Sequence, residues 1–191
     1  MGKIIFITGG ARSGKSYFAE KLLKNKDKVL YIASAIAFDS EMKNRIEIHK
    51  KRRNENWETL EGYKNLKKLI SEKISGKEYI LFDCITVMLS NLMTVDNNFD
   101  WDSVNQKTVN EIESVMNKEV NELLEKANEF EGETIIVSNE LGMGIVPNSP
   151  LGRYYRDIAG RVNQNIARMA DEVYLLVSGI PLKIKGDKKY D

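Results

Sequence analysis

Lys3-Ile-Ile-Phe-Ile-Thr-Gly-Gly-Ala-Arg-Ser-Gly-Lys-Ser16 is the most informative stretch of this chain. Its first six residues are an apolar, β-rich run that reads as a buried strand. Gly9 and Gly10 end the run, and a helix is predicted from about Ser16 to Asn25. Between strand and helix, Gly9 to Ser16 match the pattern G-x-x-x-x-G-K-[ST]. Glycines let successive backbone N–H groups turn inward and approach phosphate oxygens closely. Lys15 supplies a mobile cation for the terminal phosphates, Ser16 a hydroxyl for Mg²⁺, and the helix N-terminus a favourable dipole. The stretch therefore predicts a nucleoside triphosphate holder.

The same alternation continues outward. Val29–Ala33 reads as a second buried strand, and a helix opening at Asp39 or Ser40 is predicted to run to about Arg53. Trp57–Leu60 reads as a short strand, and Leu66, Leu69 and Ile70 mark an amphipathic helix. Tyr79–Asp83 is a further apolar strand, this one ending in an acid, and Ile85–Met93 follows as helix. Residues 94–103 read as loop, Val104 to about Phe130 as a long helix, and Thr134–Ser138 as strand. A loop over 141–150 leads to a helix over Leu151–Ala170, then a strand over Glu172–Val177, and the charged tail after Gly186 reads as loose. Strands that are apolar throughout and alternate with helices predict an α/β fold, a mostly parallel sheet with helices on both faces. Ligands of such sheets bind at the carboxyl ends of the strands, where Gly9, Ser34, Asp83 and Asn139 all fall. An acid at the end of an apolar strand is also where such enzymes hold Mg²⁺, which makes Asp83 the second metal candidate beside Ser16.

The chain has 191 residues with a net charge of +1, so residues 1–191 read as one nucleotide-binding domain without a nucleic-acid footprint. No apolar run approaches a membrane span and no signal-peptide pattern is visible. With a single cysteine, Cys84, no internal disulfide is possible, and the cytoplasm is the expected compartment. His49 is the only histidine. It continues a helical stripe of Met42 and Ile46 and is surrounded by Arg45, Lys50, Lys51, Arg52 and Arg53. On the residues alone it is either a partly buried structural histidine or a nucleophile whose neutral ring is favoured by the nearby cations. A simpler P-loop kinase or a regulatory GTP switch also remains open. The simpler kinase would account for Gly9–Ser16 and Asp83, but it leaves His49 and the segment 139–147 without a role.

Several longer stretches are more specific. They include Tyr31-Ile-Ala-Ser34, Glu41-Met-x-x-Arg-Ile-x-x-His49-x-x-x-Arg53, Trp57-Glu-Thr-Leu-Glu61, Asp83-Cys-Ile-Thr86 and Asn91-Leu92. Two more are Val137-Ser-Asn-Glu-Leu-Gly-Met-Gly-Ile-Val-Pro147 and Tyr155-Arg-Asp-Ile-Ala-Gly-Arg-Val-Asn-Gln164. With these the chain resembles the bifunctional adenosylcobinamide kinase / adenosylcobinamide-phosphate guanylyltransferase family of cobalamin biosynthesis, from Ile4 to about Gly186. The resemblance implies a P-loop NTPase domain of RecA-like type. It implies phosphorylation of adenosylcobinamide by ATP or GTP, then transfer of GMP from GTP, through a guanylylated histidine, to adenosylcobinamide phosphate. It implies His49 as the nucleophile and Lys15 as its catalytic companion. Nucleotide contacts are implied at Gly9, Gly10, Ala11, Arg12, Ser13, Gly14, Lys15 and Ser16, at Ser34, Ala35 and Ile36, at Lys50, Lys51, Arg52 and Arg53, and at Glu61 and Asp83. The implied ligands are GTP, ATP and Mg²⁺, and the implied assembly is a homotrimer whose subunits share the site.

Overall fold

A computed structural model describes residues 2–36, 54–97 and 99–186. The elements follow as β1 (Lys3–Gly9), α1 (Lys15–Leu22), β2 (Val29–Ala33), β3 (Glu58–Glu61), α2 (Leu66–Lys73), β4 (Tyr79–Asp83) and α3 (Ile85–Thr94). Then come α4 (Gln106–Glu129), β5 (Glu133–Val137), α5 (Pro150–Met169), β6 (Glu172–Val177) and β7 (Ile180–Lys185). The helix predicted from residue 39 or 40 to 53 and the tail after Gly186 lie outside the described residues.

The seven strands of the described residues form one sheet in the order β3-β2-β4-β5-β1-β6-β7, parallel except for the β6–β7 pair. The inner strands are apolar on both sides because both sides are covered. One face presents Ile4, Phe6, Leu30, Ile32, Ile80, Phe82 and Ile136 to α2, α3, α4 and α5. The other presents Ile5, Ile7, Val29, Tyr31, Leu81, Ile135 and Val137 to α1 and Trp57. Among the described residues, then, helices cover both faces unevenly. None of the described helices is long and apolar enough to cross a membrane.

Local chemistry explains most boundaries. Asn105 Oδ1 accepts from the Thr108 N–H to start α4, and Ser149 with Pro150 at the first turn starts α5. α1 stops short of the predicted Asn25 because the Leu23 and Lys24 N–H groups bond to Glu20 O and Lys21 O, tightening the chain into turns. α2 has no cap of its own. Glu119 of α4 supplies one across the interface, its two carboxylate oxygens accepting from the Asn65 and Leu66 N–H groups at 3.0 and 3.3 Å. Such a cap is invisible to local pattern reading.

The strand β7 is the one element absent from the sequence-based expectation. Ser178 and Gly179, with φ of 51° and 86°, make a two-residue turn of the left-handed kind that suits a tight hairpin. The signal was present as a Ser-Gly pair between two short apolar runs. β7 is anchored to the sheet through Glu172, which meets Lys3 of β1 at 2.9 Å, Lys183 of β7 at 3.2 Å and the Tyr174 hydroxyl at 2.7 Å. Partial burial works against its charge, but these three partners prevail and hold the carboxyl at about 2, against an ordinary 4.5. A depressed carboxylate contributes stability above its unfolded value and loses it as pH falls toward the folded one. Glu172→Gln is therefore expected to lower urea-denaturation stability by about 1–3 kcal/mol at neutral pH, the range for hydrogen bonds to charged groups. The gap to wild type should close as pH falls from 4.5 to about 2. A gap that persists unchanged at low pH would reject this account.

Candidate functional site

The loop leaving β1 is shaped by backbone constraints. Gly9 has φ 150°, and a Cβ there would lie 2.4 Å from the Leu176 carbonyl oxygen of the neighbouring strand. Gly14 has φ 95°, and Arg12 adopts the left-handed region at 57°. Within the loop the Ser13 N–H bonds to Gly10 O at 3.2 Å, and from outside the Gly179 N–H at the β6–β7 turn bonds to Ser13 O at 2.9 Å. The hairpin missed in the sequence thus braces the phosphate loop. α1 opens directly from Gly14 with no side-chain cap, leaving its first N–H groups directed at the loop's concavity. Lys15 is buried, and its Nζ donates to Gly10 O at 2.6 Å. Burial lowers its pKa, while Cys84 and Asp83 oppose that shift. A desolvated cation inside an N–H-lined loop suits a polyphosphate.

Across the rim, Asp83 ends β4 and its Oδ2 accepts from the Tyr31 hydroxyl at 3.1 Å. The Asp83–Cys84 peptide is cis. Ser34 clasps this peptide: its N–H donates to Asp83 O, its hydroxyl donates to Cys84 O at 2.7 Å, and the same oxygen accepts from the Cys84 N–H at 3.0 Å. Asn91 holds Ser34 in turn through its carbonyl, at 2.7 Å. The Ser34 hydroxyl is therefore employed inside the protein. Thr86 joins the second half of the rim. Its Oγ1 accepts from Asn139 at 2.6 Å and its carbonyl accepts from Tyr155, while Asn163 donates to Asn139 O. Burial, reinforced by the Asp83 charge, pushes the Cys84 thiol up to about 11, so it stays protonated at neutral pH and is a poor nucleophile.

The residues singled out by sequence are distributed unevenly. Gly9, Gly10, Ala11, Arg12, Ser13, Gly14, Lys15 and Ser16 form the loop. Asp83 ends β4, Ser34, Ala35 and Ile36 follow the end of β2, and Glu61 ends β3 beyond them. The Glu140 N–H donates to Gly9 O at 2.9 Å, bringing Asn139 and Glu140 to the same rim. His49, Lys50, Lys51, Arg52 and Arg53 lie outside the described residues. Thr86, Asn91 and Tyr155 are the network members to which local sequence reasoning gave no role. Their bonds join residues more than fifty positions apart in sequence.

The rim suits Mg²⁺ chemically. Ser16 and Asp83 offer hard oxygen ligands at the loop and at the end of β4. A small cation held by one carboxylate and one hydroxyl takes its other ligands from phosphates and water. The clearest geometric test is Gly9→Ala. The added methyl meets backbone on a backbone that cannot yield, so about 2–4 kcal/mol of stability should be lost, together with GTP affinity. Thermal denaturation and titration with a fluorescent GTP analogue measure both, and a fully stable, GTP-binding variant would contradict the geometry.

Comparison with known proteins identifies the family. Residues 5–184 match the family model described as cobinamide kinase / cobinamide phosphate guanyltransferase. The chain is 44% identical over 182 residues to the bifunctional adenosylcobalamin biosynthesis protein CobU of Escherichia coli K12, covering 95% of this chain and 99% of that protein. It is 42% identical over 186 residues to the CobU protein of Salmonella typhimurium LT2, with the same coverages. It is 39% identical over 182 residues to the bifunctional CobP protein of Pseudomonas aeruginosa PAO1, covering 95% and 96%. The phosphate loop, the acid across the rim and a match over nearly the whole chain lead to one conclusion: this chain belongs to the cobinamide kinase / cobinamide phosphate guanyltransferase family.

Proposed function

We propose that this chain performs two successive transfers in cobalamin biosynthesis, as an adenosylcobinamide kinase and an adenosylcobinamide-phosphate guanylyltransferase. The observation that carries this reading is the phosphate loop Gly9–Ser16 with buried Lys15, facing Asp83 across the rim in a chain of this family. In the first transfer the acceptor's hydroxyl oxygen attacks the γ-phosphorus of ATP or GTP, the bond to the β-bridging oxygen breaks, and the hydroxyl proton is released. In the second, a ring nitrogen of His49 attacks the α-phosphorus of GTP and pyrophosphate leaves. A phosphate oxygen of adenosylcobinamide phosphate then attacks the same α-phosphorus. The N–P bond breaks, and adenosylcobinamide-GDP is formed.

Lys15 and the N–H groups of the loop would hold the β- and γ-phosphates and offset charge that grows during each displacement. Mg²⁺, held by Ser16 and Asp83, would supply Lewis-acid neutralisation of the phosphates. Ala35, Ile36 and Glu61 would line the nucleoside side, with buried Ser34 holding the backbone behind them, and Lys50, Lys51, Arg52 and Arg53 would contact the phosphates near His49. The whole chain acts here as one nucleotide-binding domain in the cytoplasm, where triphosphates and a free thiol such as Cys84 persist.

Incubation with α-labelled GTP tests the covalent step. Wild type is expected to retain label and His49→Ala to retain none, while His49→Ala still phosphorylates adenosylcobinamide. Undiminished label on the variant would reject His49 as nucleophile. Lys15→Ala is expected to slow the kinase reaction by about 10²–10³, the scale for losing one preorganised charge-stabilising donor.

The homotrimer is part of the same proposal. Ile180, Leu182 and Ile184 alternate along the edge strand β7, share one face, and are 70%, 56% and 57% exposed. Such a row on an unpaired edge favours contact with another copy. Leu182→Glu is expected to shift the light-scattering mass from trimer toward monomer, and an unchanged mass would remove β7 from the contact.

A further inference from the structure

We infer that Met143, Ile145 and Val146 form the seat for the macrocycle of the corrinoid acceptor, beside the phosphate loop. The inference rests on the proposed function and adds the place where the acceptor's bulk lies. These three side chains are 79%, 95% and 58% exposed, and they fall within four consecutive residues of the loop between β5 and α5. Three large apolar side chains held in water within one short stretch of loop point to a binding surface.

The loop is held at both ends. At its start the Glu140 N–H donates to Gly9 O, the first residue of the phosphate loop, and Asn139 is clamped by Thr86 and Asn163. The Glu140 carboxylate then turns back to accept from the Gly142 N–H at 2.7 Å. At its end Arg153 donates to Pro147 O and Asn148 O at 3.2 and 2.5 Å. Pro147 packs so tightly on α5 that a Cβ at Gly152 would lie 2.7 Å from the proline Cβ. The apolar tip is therefore presented by a fixed frame.

Geometry and chemistry select the occupant. An acceptor must bring one hydroxyl or phosphate oxygen to a phosphorus atom held over Gly9–Ser16. A corrin is far too large to enter that loop and must rest on the adjoining surface. Ile145 is five residues beyond Glu140, so it lies at most about 17 Å from it, within reach of a bulky ring whose side chain ends at the phosphates. The methyl-fringed edge of a corrin offers apolar surface that matches Met143, Ile145 and Val146, with the amide side chains left toward water.

The test is direct binding of adenosylcobinamide by calorimetry, which is independent of turnover. Wild type is compared with the double variant Met143→Ser/Ile145→Ser and with Ile145→Leu. The double variant is expected to bind the corrinoid about ten-fold or more weakly, with GTP affinity and melting temperature held near wild type. Ile145→Leu should keep wild-type affinity. In steady state the loss should appear in KM for the corrinoid rather than in KM for the nucleotide. Equal corrinoid affinity in wild type and double variant overturns the inference, as does a double variant whose only change is its light-scattering mass, since the loop would then be a subunit contact. Wild type that binds the corrinoid through these residues but transfers no phosphoryl or guanylyl group would sink the proposed function and leave the seat standing.

Discussion

Everything at the working end of this protein depends on the close passage of the backbone at Gly9. There a Cβ would lie 2.4 Å from the Leu176 carbonyl oxygen, so the chain can leave β1 by this route only because Gly9 has no side chain. From that point the loop turns over the sheet and delivers Lys15 and the first N–H groups of α1 into one concavity. The same carbonyl edge recruits the rest of the rim: Gly9 O accepts from Glu140, and Ser13 O accepts from Gly179. A local steric allowance thus becomes the junction of three strands, β5, β1 and β6.

The rim around it is polar but tightly assigned. Ser34 spends its hydroxyl on both sides of the Asp83–Cys84 peptide, and Asn139 spends its amide on Thr86. With those groups engaged, Asp83 and Lys15 stand out as the charged pair facing the phosphate position. A triphosphate held by such a site can be attacked at either end of its chain, at the γ-phosphorus or at the α-phosphorus. In the two transfers proposed above, what differs is the nucleophile that would approach, an acceptor oxygen in one and the His49 nitrogen in the other. On that proposal one holding site would serve two chemistries without being rebuilt.

Much of this architecture is legible in local pattern. The inner strands declare themselves through unbroken apolar runs, since a strand covered on both faces has no reason to alternate. α4 is recognisable from Val109, Ile112, Met116, Val120 and Leu123, spaced for one helical face. β7 is harder to see. Its outward residues Ile180, Leu182 and Ile184 are apolar but exposed, so their pattern does not describe burial, and only the Ser178–Gly179 turn betrays the hairpin. The cap that Glu119 gives α2 and the network of Ser34, Asn91, Thr86, Asn139 and Tyr155 leave no local trace, because each bond joins segments remote in sequence.

By itself, then, the sequence determined the order of the described elements apart from β7, the phosphate loop and, through its longer matching stretches, the family. These are properties of contiguous residues, whose spacing and backbone freedom act over a few positions. Only the tertiary structure decided that β5 lies between the loop strand β1 and the Asp83 strand, that a late hairpin braces Ser13, and that Met143, Ile145 and Val146 stand exposed in a loop whose start, Glu140, is bonded to Gly9. Those outcomes depend on which strands pair and which helices cover them. Pairing is settled by the summed burial of the whole sheet, a quantity that no short window of sequence contains.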